Sequence, residues 1–289
     1  MTLANQKQIV VIGDIHSRLD LAFDGLNQLE HEHGAIAQIF SVGDAGLFLC
    51  ADDWNYLAGP KKYRHPERSH QITAAWEKWR WPLAMIGGNH EPYHRLRTFD
   101  RVHFGPKLSY TDAGILKHQI PDLRVYGLSG IFHPSHLGFG TVGHGRQPTP
   151  RGWADLATLA INKAIAPRQL SYYKQQDLDL LLRLPPEPDL LLIHDWPVPP
   201  PHIRYSGARP EKLLVERLHP QWVCCGHHHV SAEFSVGKSK CIALNIVTNK
   251  DSPSVPAILP GWAVIFRWTG TVLEKIALWP TAERWLPLP

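Results

Sequence analysis

The chain has 289 residues, 44% of them hydrophobic and 19% charged, with a formal net charge of +4. That balance belongs to a globular protein able to bury a sizeable core, and it excludes a disordered, fibrous or strongly basic duplex-coating chain. Only a few polar residues precede Ile9-Val10-Val11-Ile12, an apolar run too short for a signal sequence or membrane span, so cytoplasmic residence without membrane contact is expected.

The first unit reads as a strand over 8–12, a loop with Gly13-Asp14-Ile15-His16, and a helix whose Leu19, Phe23, Leu26 and Leu29 share one face until Gly34 stops it. Ile36 to Val42 is a second apolar run and ends in Gly43-Asp44. Residues 50–70, including Pro60-Lys61-Lys62-Tyr63-Arg64-His65-Pro66, carry no regular period and read as an insertion loop. A helix over 71–80 follows from the spacing of Ile72, Ala75, Trp76 and Trp79. Leu83 to Ile86 then runs into Gly87-Gly88-Asn89-His90-Glu91.

A second insertion covers 132–170, rich at first in Gly, Pro, His and Arg, and a helix is expected over 174–184 from Leu178, Leu181 and Leu182. Leu190 to Ile193 leads into His194-Asp195-Trp196-Pro197, and Trp222 to Cys225 into Gly226-His227-His228-His229. Continuous apolar runs of strand length suit strands covered on both faces, with polar residues gathered at the carboxyl edge of the sheet. Trp262 to Trp268 and Thr271 to Ile276, joined at Thr269-Gly270, read as a hairpin. The expected organisation is one domain over 1–289. The cysteines at 50, 224, 225 and 241 fit neither a disulfide framework nor a paired-cysteine zinc pattern and are read as buried, reduced thiols.

The polar loops share one chemistry. Asp14 and His16 bring a carboxylate and an imidazole to one loop, Asp44 has two oxygens with which to bridge two cations, Asn89 offers a neutral oxygen, and His194, His227 and His229 offer nitrogens. Each alone fits an ordinary structural role; all of them in order, each after an apolar strand, point to metal ions.

Gly13-Asp14-Ile15-His16, Gly43-Asp44, Gly88-Asn89-His90-Glu91, His194 and Gly226-His227-His228-His229 resemble the calcineurin-like metallophosphoesterase superfamily. The resemblance implies an α/β fold of four layers, α/β/β/α, and two divalent metal ions of the Mn, Fe or Zn kind. One ion would sit on Asp14, His16, Asp44 and His229, the other on Asp44, Asn89, His194 and His227, leaving His228 out. Lys62-Tyr63-Arg64-His65, Gly127-Leu128-Ser129-Gly130-Ile131-Phe132 and His194-Asp195-Trp196-Pro197 are similar to the RNA lariat debranching enzymes, although those carry Cys where this chain has Asp14. Gly43-Asp44-Ala45-Gly46-Leu47-Phe48 lacks the second Asp and the Arg of protein phosphatases.

These residues imply a metal-dependent phosphodiesterase acting on RNA or nucleotide esters through a metal-bridging hydroxide, with 2′-5′ linkages as the narrowest reading. His90 is the candidate acid for the leaving group, and Glu91 and Asp195 are candidates to orient a histidine. Lys61, Lys62, Tyr63, Arg64 and His65 are candidate substrate contacts, as are His133, His136, His144, Arg146 and Arg151 more weakly. Trp76, Trp79, Trp262 and Trp268 read as core, while Trp196 either borders the cleft or packs beneath it. A phosphomonoesterase or protein phosphatase and a non-catalytic metal scaffold are the competing readings; His90, which is not an implied ligand, favours an enzyme.

Overall fold

A computed structural model describes residues 6–59, 63–98, 104–138, 152–198, 209–248, 257–282 and 284–285. Its first half runs β1 (Lys7–Ile12), α1 (Leu19–His33), β2 (Ile36–Ser41), α2 (Ser69–Lys78), β3 (Leu83–Met85), α3 (Tyr93–Leu96), β4 (Leu108–Tyr110), β5 (Ala113–Ile115) and β6 (Val125–Leu128). The second half runs α4 (Trp153–Ile161), α5 (Gln175–Leu182), β7 (Leu190–Ile193), α6 (Arg209–Leu218), β8 (Trp222–Cys225), β9 (Ala232–Val236), β10 (Ser239–Ala243), β11 (Ala257–Ile258), β12 (Ala263–Trp268), β13 (Leu273–Trp279) and β14 (Arg284–Trp285). One six-stranded sheet has the order β13-β12-β1-β2-β3-β4 and the other β5-β6-β7-β8-β10-β9, while β11 and β14 form a separate pair.

The apolar runs are continuous because both faces of each sheet are covered. Ile9, Val11, Phe40 and Ile86 of the first sheet face Leu190, Leu192, Cys224 and Ile242 of the second, forming a shared inner layer. The alternate residues Val10, Ile12, Ile39 and Met85 pack outward on α1 and α2. Leu191, Ile193, Val223 and Cys225 pack the other way, with Leu178 and Leu181 of α5 and Leu214 and Val215 of α6. The fold is therefore the expected four-layer α/β/β/α sandwich. Truncating one fully buried Leu or Ile of the inner layer to alanine would cost roughly 2–5 kcal/mol.

Local expectations hold with small shifts at element ends. Helix α1 stops at Gly34, whose φ of 97° continues the chain where a side chain would be strained. The hairpin pairs β12 with β13 antiparallel, and Thr269 N–H donates to the Val272 carbonyl at 3.1 Å. The predicted helices over 71–80 and 174–184 are α2 and α5, each beginning or ending up to two residues away, and Leu182 faces solvent. Trp76, Trp79, Trp262 and Trp268 are buried.

The first insertion holds short 3-10 turns at Ala51–Tyr56 and Pro66–Arg68. Trp54 anchors it, its ring stacked on Phe48 at 4.5 Å and its indole N–H donating to Ser69 Oγ at 2.9 Å. The second contains α4, which is absent from the sequence-based expectation. Lys61, Lys62, His144, Arg146 and Arg151 lie outside the described residues. Among the described residues, no helix is long and apolar enough to cross a membrane.

Candidate metal centre

Strands β1, β2 and β3 are parallel neighbours in one sheet, and β7 and β8 in the other. Their carboxyl ends point the same way, so the loops that follow them converge at one edge of the sandwich. Asp14 and His16 follow β1, Asp44 follows β2, Asn89 and His90 follow β3, His194 follows β7, and His227 and His229 follow β8. The sequence of strand then polar loop thus becomes a single cluster.

Backbone geometry aims the donors. His16, Asp44, His227 and His229 all have positive φ, between 49° and 70°. Non-glycine residues held there cost of order 1–3 kcal/mol each, which the surrounding fold must offset. Two glycines keep space for the carboxylates. A Cβ on Gly88 would lie 2.2 Å from Asp44 Oδ1, and one on Gly226 2.3 Å from Asp14 Oδ1.

The donor atoms fall into two groups. His229 Nε2 lies 3.1 Å from Asp14 Oδ2, and His16 Nε2 lies 3.6 Å from Asp14 Oδ2, 3.0 Å from His229 Nε2 and 3.4 Å from Asp44 Oδ2. On the other side, His194 Nε2 lies 3.4 Å from Asp44 Oδ2 and 3.3 Å from Asn89 Oδ1, and His227 joins Asp44 and His194 within 4.8 Å. Asp44 belongs to both. Around an ion with bonds of about 2.1 Å, adjacent ligand atoms are about 3.0–3.4 Å apart, so these separations have the size of coordination-polyhedron edges.

The hydrogen bonds sharpen this fit. His194 Nδ1 donates to the Val42 carbonyl at 2.8 Å, which leaves Nε2 with a lone pair in the neutral ring. That lone pair faces Asp44 Oδ2 and Asn89 Oδ1, both acceptors, so the site calls for a cation between them, either a proton or a metal ion. Without metal the proton takes that place. Burial opposes it, but the Asp44 charge and hydrogen bond push the His194 pKa up to about 10. Burial also opposes charge on Asp14 and Asp44, yet both carboxyls are held below the usual range, Asp14 by hydrogen bonds from His16 and His229 and Asp44 foremost by the charge of His194. Burial and the neighbouring His194 push His227 down to about 4, which keeps the ring neutral and one of its nitrogens free to ligate.

Around the donors, the expected supporting carboxylates divide. The hydrogen bonds of Glu91 among the described residues go to backbone: its fully buried carboxyl accepts from Ala45 N–H at 2.8 Å and Gly46 N–H at 3.1 Å and so fastens the loop after Asp44. Burial and the nearby Asp44 charge raise its pKa to about 8. Asp195 lies 3.4 Å from His228 Nε2, and the two form a close group with His227. His228, left out of the sequence reading, therefore sits with Asp195 beside His227, ring centroids 4.6 Å apart. Trp196 packs beneath the loop, 1% exposed, with its indole N–H on the Gly226 carbonyl at 2.6 Å. Tyr93, which the sequence reading missed, donates its hydroxyl to the Gly88 carbonyl. Its position two residues after Glu91 was the only sequence signal.

His90 sits at the mouth. Its backbone N–H donates to Asp44 Oδ1 at 2.6 Å, and its ring meets that of His16 at 4.7 Å between centroids. A ring nitrogen of His90 also comes within 4.8 Å of donor atoms of His16 and Asp44. Beside it opens a cavity of about 310 Å³ to which Tyr63 and His65 contribute, while Arg64 is half-buried outside its lining. His133 and His136 pack on Tyr172 at 4.7 and 4.9 Å and do not line this cavity.

Residues 7–231 match the family model described as calcineurin-like phosphoesterase, and the chain belongs to that family. That family is one of phosphoesterases, and the donor clusters are groups that could hold metal ions. The chain is 25% identical over 249 residues to a lariat debranching enzyme of Arabidopsis thaliana, covering 77% of this chain and 54% of that one. It is 26% identical over 201 residues to the lariat debranching enzyme of Homo sapiens, covering 66% and 32%, and 23% identical over 266 residues to that of Entamoeba histolytica, covering 86% and 71%. It thus spans about half or less of the length of the plant and human relatives.

Proposed function

We propose that the chain is a two-metal phosphodiesterase acting on RNA or nucleotide esters, with 2′-5′ linkages as the first substrate to try. The observation that carries this reading is the pair of groups sharing Asp44, in which candidate ligand atoms lie 3.3–3.4 Å apart. One ion, of the Mn, Fe or Zn kind, is assigned to Asp14, His16, Asp44 and His229, and a second to Asp44, Asn89, His194 and His227. Bound there, the ions would neutralise charge on the phosphoryl oxygens and make a water acidic enough to attack near neutral pH.

The chain's own residues do the rest. His90, at the mouth and outside both donor sets, holds a proton on its imidazole for the departing alkoxide oxygen. Glu91 keeps Asp44 in place by gripping the next two backbone N–H groups, and Asp195 with His228 braces His227. Tyr63 and His65 contact substrate from the cavity beside His90, and Lys62 and Arg64 extend that basic loop. The debranching relatives support RNA as the substrate class.

The shared inner layer supports one domain over 1–289, and the four unpaired cysteines support residence in a reducing, cytoplasmic setting. Assays with Mn against bis-p-nitrophenyl phosphate, p-nitrophenyl phosphate, and branched and linear RNA test the reading. Diester turnover with preference for the branched RNA is expected. Turnover of the monoester alone would replace it with a phosphomonoesterase, and no turnover with metal bound would leave a scaffold.

A further inference from the structure

We propose that the cavity beside His16 and His90 is a nucleoside subsite, in which Tyr63 stacks on a base and Arg68 contacts a phosphate adjoining the scissile one. This assignment rests on the phosphodiesterase reading and names which part of the substrate lies where. His16 and His90 form part of the cavity wall, so an ester held at the donor cluster has one substituent pointing into it.

Size is the first constraint. At about 310 Å³ the cavity stands at the small end of ligand pockets, suited to one flat ring system with its sugar rather than to a stacked run of bases. Chemistry is the second. Ile15, Phe48, Leu57 and Ile246 give an apolar back wall, and Trp54 adds an aromatic edge whose indole N–H is already engaged by Ser69. Tyr63 stands at the opening, 38% exposed, its ring edge-on to His90 with 6.4 Å between centroids. A half-exposed aromatic ring beside the reacting centre, backed by apolar wall, is the combination that stacks a single unpaired base.

Charge is the third constraint. Two arginines and three histidines line the cavity. Arg18 is held by Asp20 at 3.2 Å and His65 by Glu67 at 3.1 Å, whereas Arg68 has no carboxylate within ion-pair distance among the described residues. Arg68 is thus the side chain with charge to spend on a phosphate oxygen. Stacking on Tyr63 against the apolar back wall reads a base by its flat face, so purines and pyrimidines should bind with similar strength.

The test uses the full Mn-loaded chain and measures inhibition of bis-p-nitrophenyl phosphate hydrolysis by AMP, UMP and inorganic phosphate. Both nucleotides should bind about tenfold tighter than phosphate and within about threefold of each other. Tyr63→Leu and Arg68→Ala should each shrink the ratio of phosphate to nucleotide inhibition constants about fivefold, while Tyr63→Phe should preserve it. AMP binding no better than phosphate, or variants that weaken all three ligands in proportion, would overturn the subsite. Should the diester not be hydrolysed at all, the phosphodiesterase reading fails by itself. Calorimetry of the same ligands on the Mn-loaded chain then still decides the subsite by the same ratio.

Discussion

Asp14, Asp44 and His194 are as deeply buried as Arg97, Lys174 and Asp177, yet the two groups meet their electrostatic demands differently. In the second, donors meet acceptors. Arg97 Nε donates to Asp112 Oδ1 at 2.5 Å, another of its nitrogens donates to the Leu170 carbonyl, and its guanidinium lies between the rings of Tyr93 and Trp153, 4.0 and 3.4 Å from their centroids. Lys174 Nζ donates to the His136 carbonyl at 2.7 Å, and Asp177 accepts from Lys174 N–H and from the Trp153 indole. In the first group, the Nε2 lone pair of neutral His194 meets Asp44 Oδ2 and Asn89 Oδ1, both acceptors, across gaps the size of coordination edges.

The difference separates two uses of buried charge. The Arg97 cluster neutralises its charge with Asp112 and fastens α4 and the turn after it to the loop beyond β3, with Arg97 Nη2 left without a hydrogen-bond partner among the described residues. The Asp44 cluster is incomplete without a cation. Burying charge is costly in both places, and only pairing, hydrogen bonding or a bound ion offsets it.

Substitutions should therefore act on different observables. Asp44→Ala, which touches both donor groups, should empty at least one metal position and lower diester turnover by roughly 10⁴-fold or more, read by metal analysis alongside kcat. His90→Ala should lower kcat by roughly 10²–10⁴-fold with metal content near wild type. Equal metal loss in both variants would make His90 a ligand and remove it as the acid. Arg97→Met should leave metal content intact yet cost roughly 3–5 kcal/mol in urea unfolding, because the partly buried Asp112 loses its charged partner and keeps only the Tyr110 hydroxyl. A metal loss matching that of Asp44→Ala would join the two clusters into one.

A smaller effect belongs to Asp53, a carboxylate fully buried beside His94 and Arg95. Burial opposes its charge, but the hydrogen bonds from His94 and Arg95 bring its pKa down from 3.8 to about 2. A depressed carboxylate pKa contributes stability above the unfolded value, and that contribution disappears as pH falls from about 4 to about 2. Asp53→Asn should thus be less stable at neutral pH by on the order of 2 kcal/mol and should show a shallower loss over that acid window. Parallel curves for the two proteins would contradict the assignment.

How legible each cluster is follows from where its residues lie. Asp14, Asp44, Asn89, His194 and His227 each stand within a few residues of a strand end, so apolar run and motif together locate them. The seven implied donors come together at one sheet edge, in overlapping groups around Asp44 that also take in His90. The Arg97 cluster draws on residues 93, 97, 112, 153, 170 and 177, brought together only by tertiary packing, and no periodicity links them. Asp195 was expected to stand beside a histidine, but its partner His228 escaped for the same reason, since the pair depends on β7 lying beside β8. Glu91 was recognised as a supporting residue, but its partners are backbone N–H groups, which sequence does not display. Helix α4 was hidden because its nine residues follow a stretch of Gly, Pro, His and Arg without period.

The central claim is that acceptors facing acceptors around Asp44 mark two metal positions. Elemental analysis of the chain equilibrated with Mn and freed of unbound ion tests it most directly, with Asp44→Ala measured in parallel. Two equivalents in the wild-type chain and at most one in the variant are expected, and a wild-type chain that retains none would contradict the account.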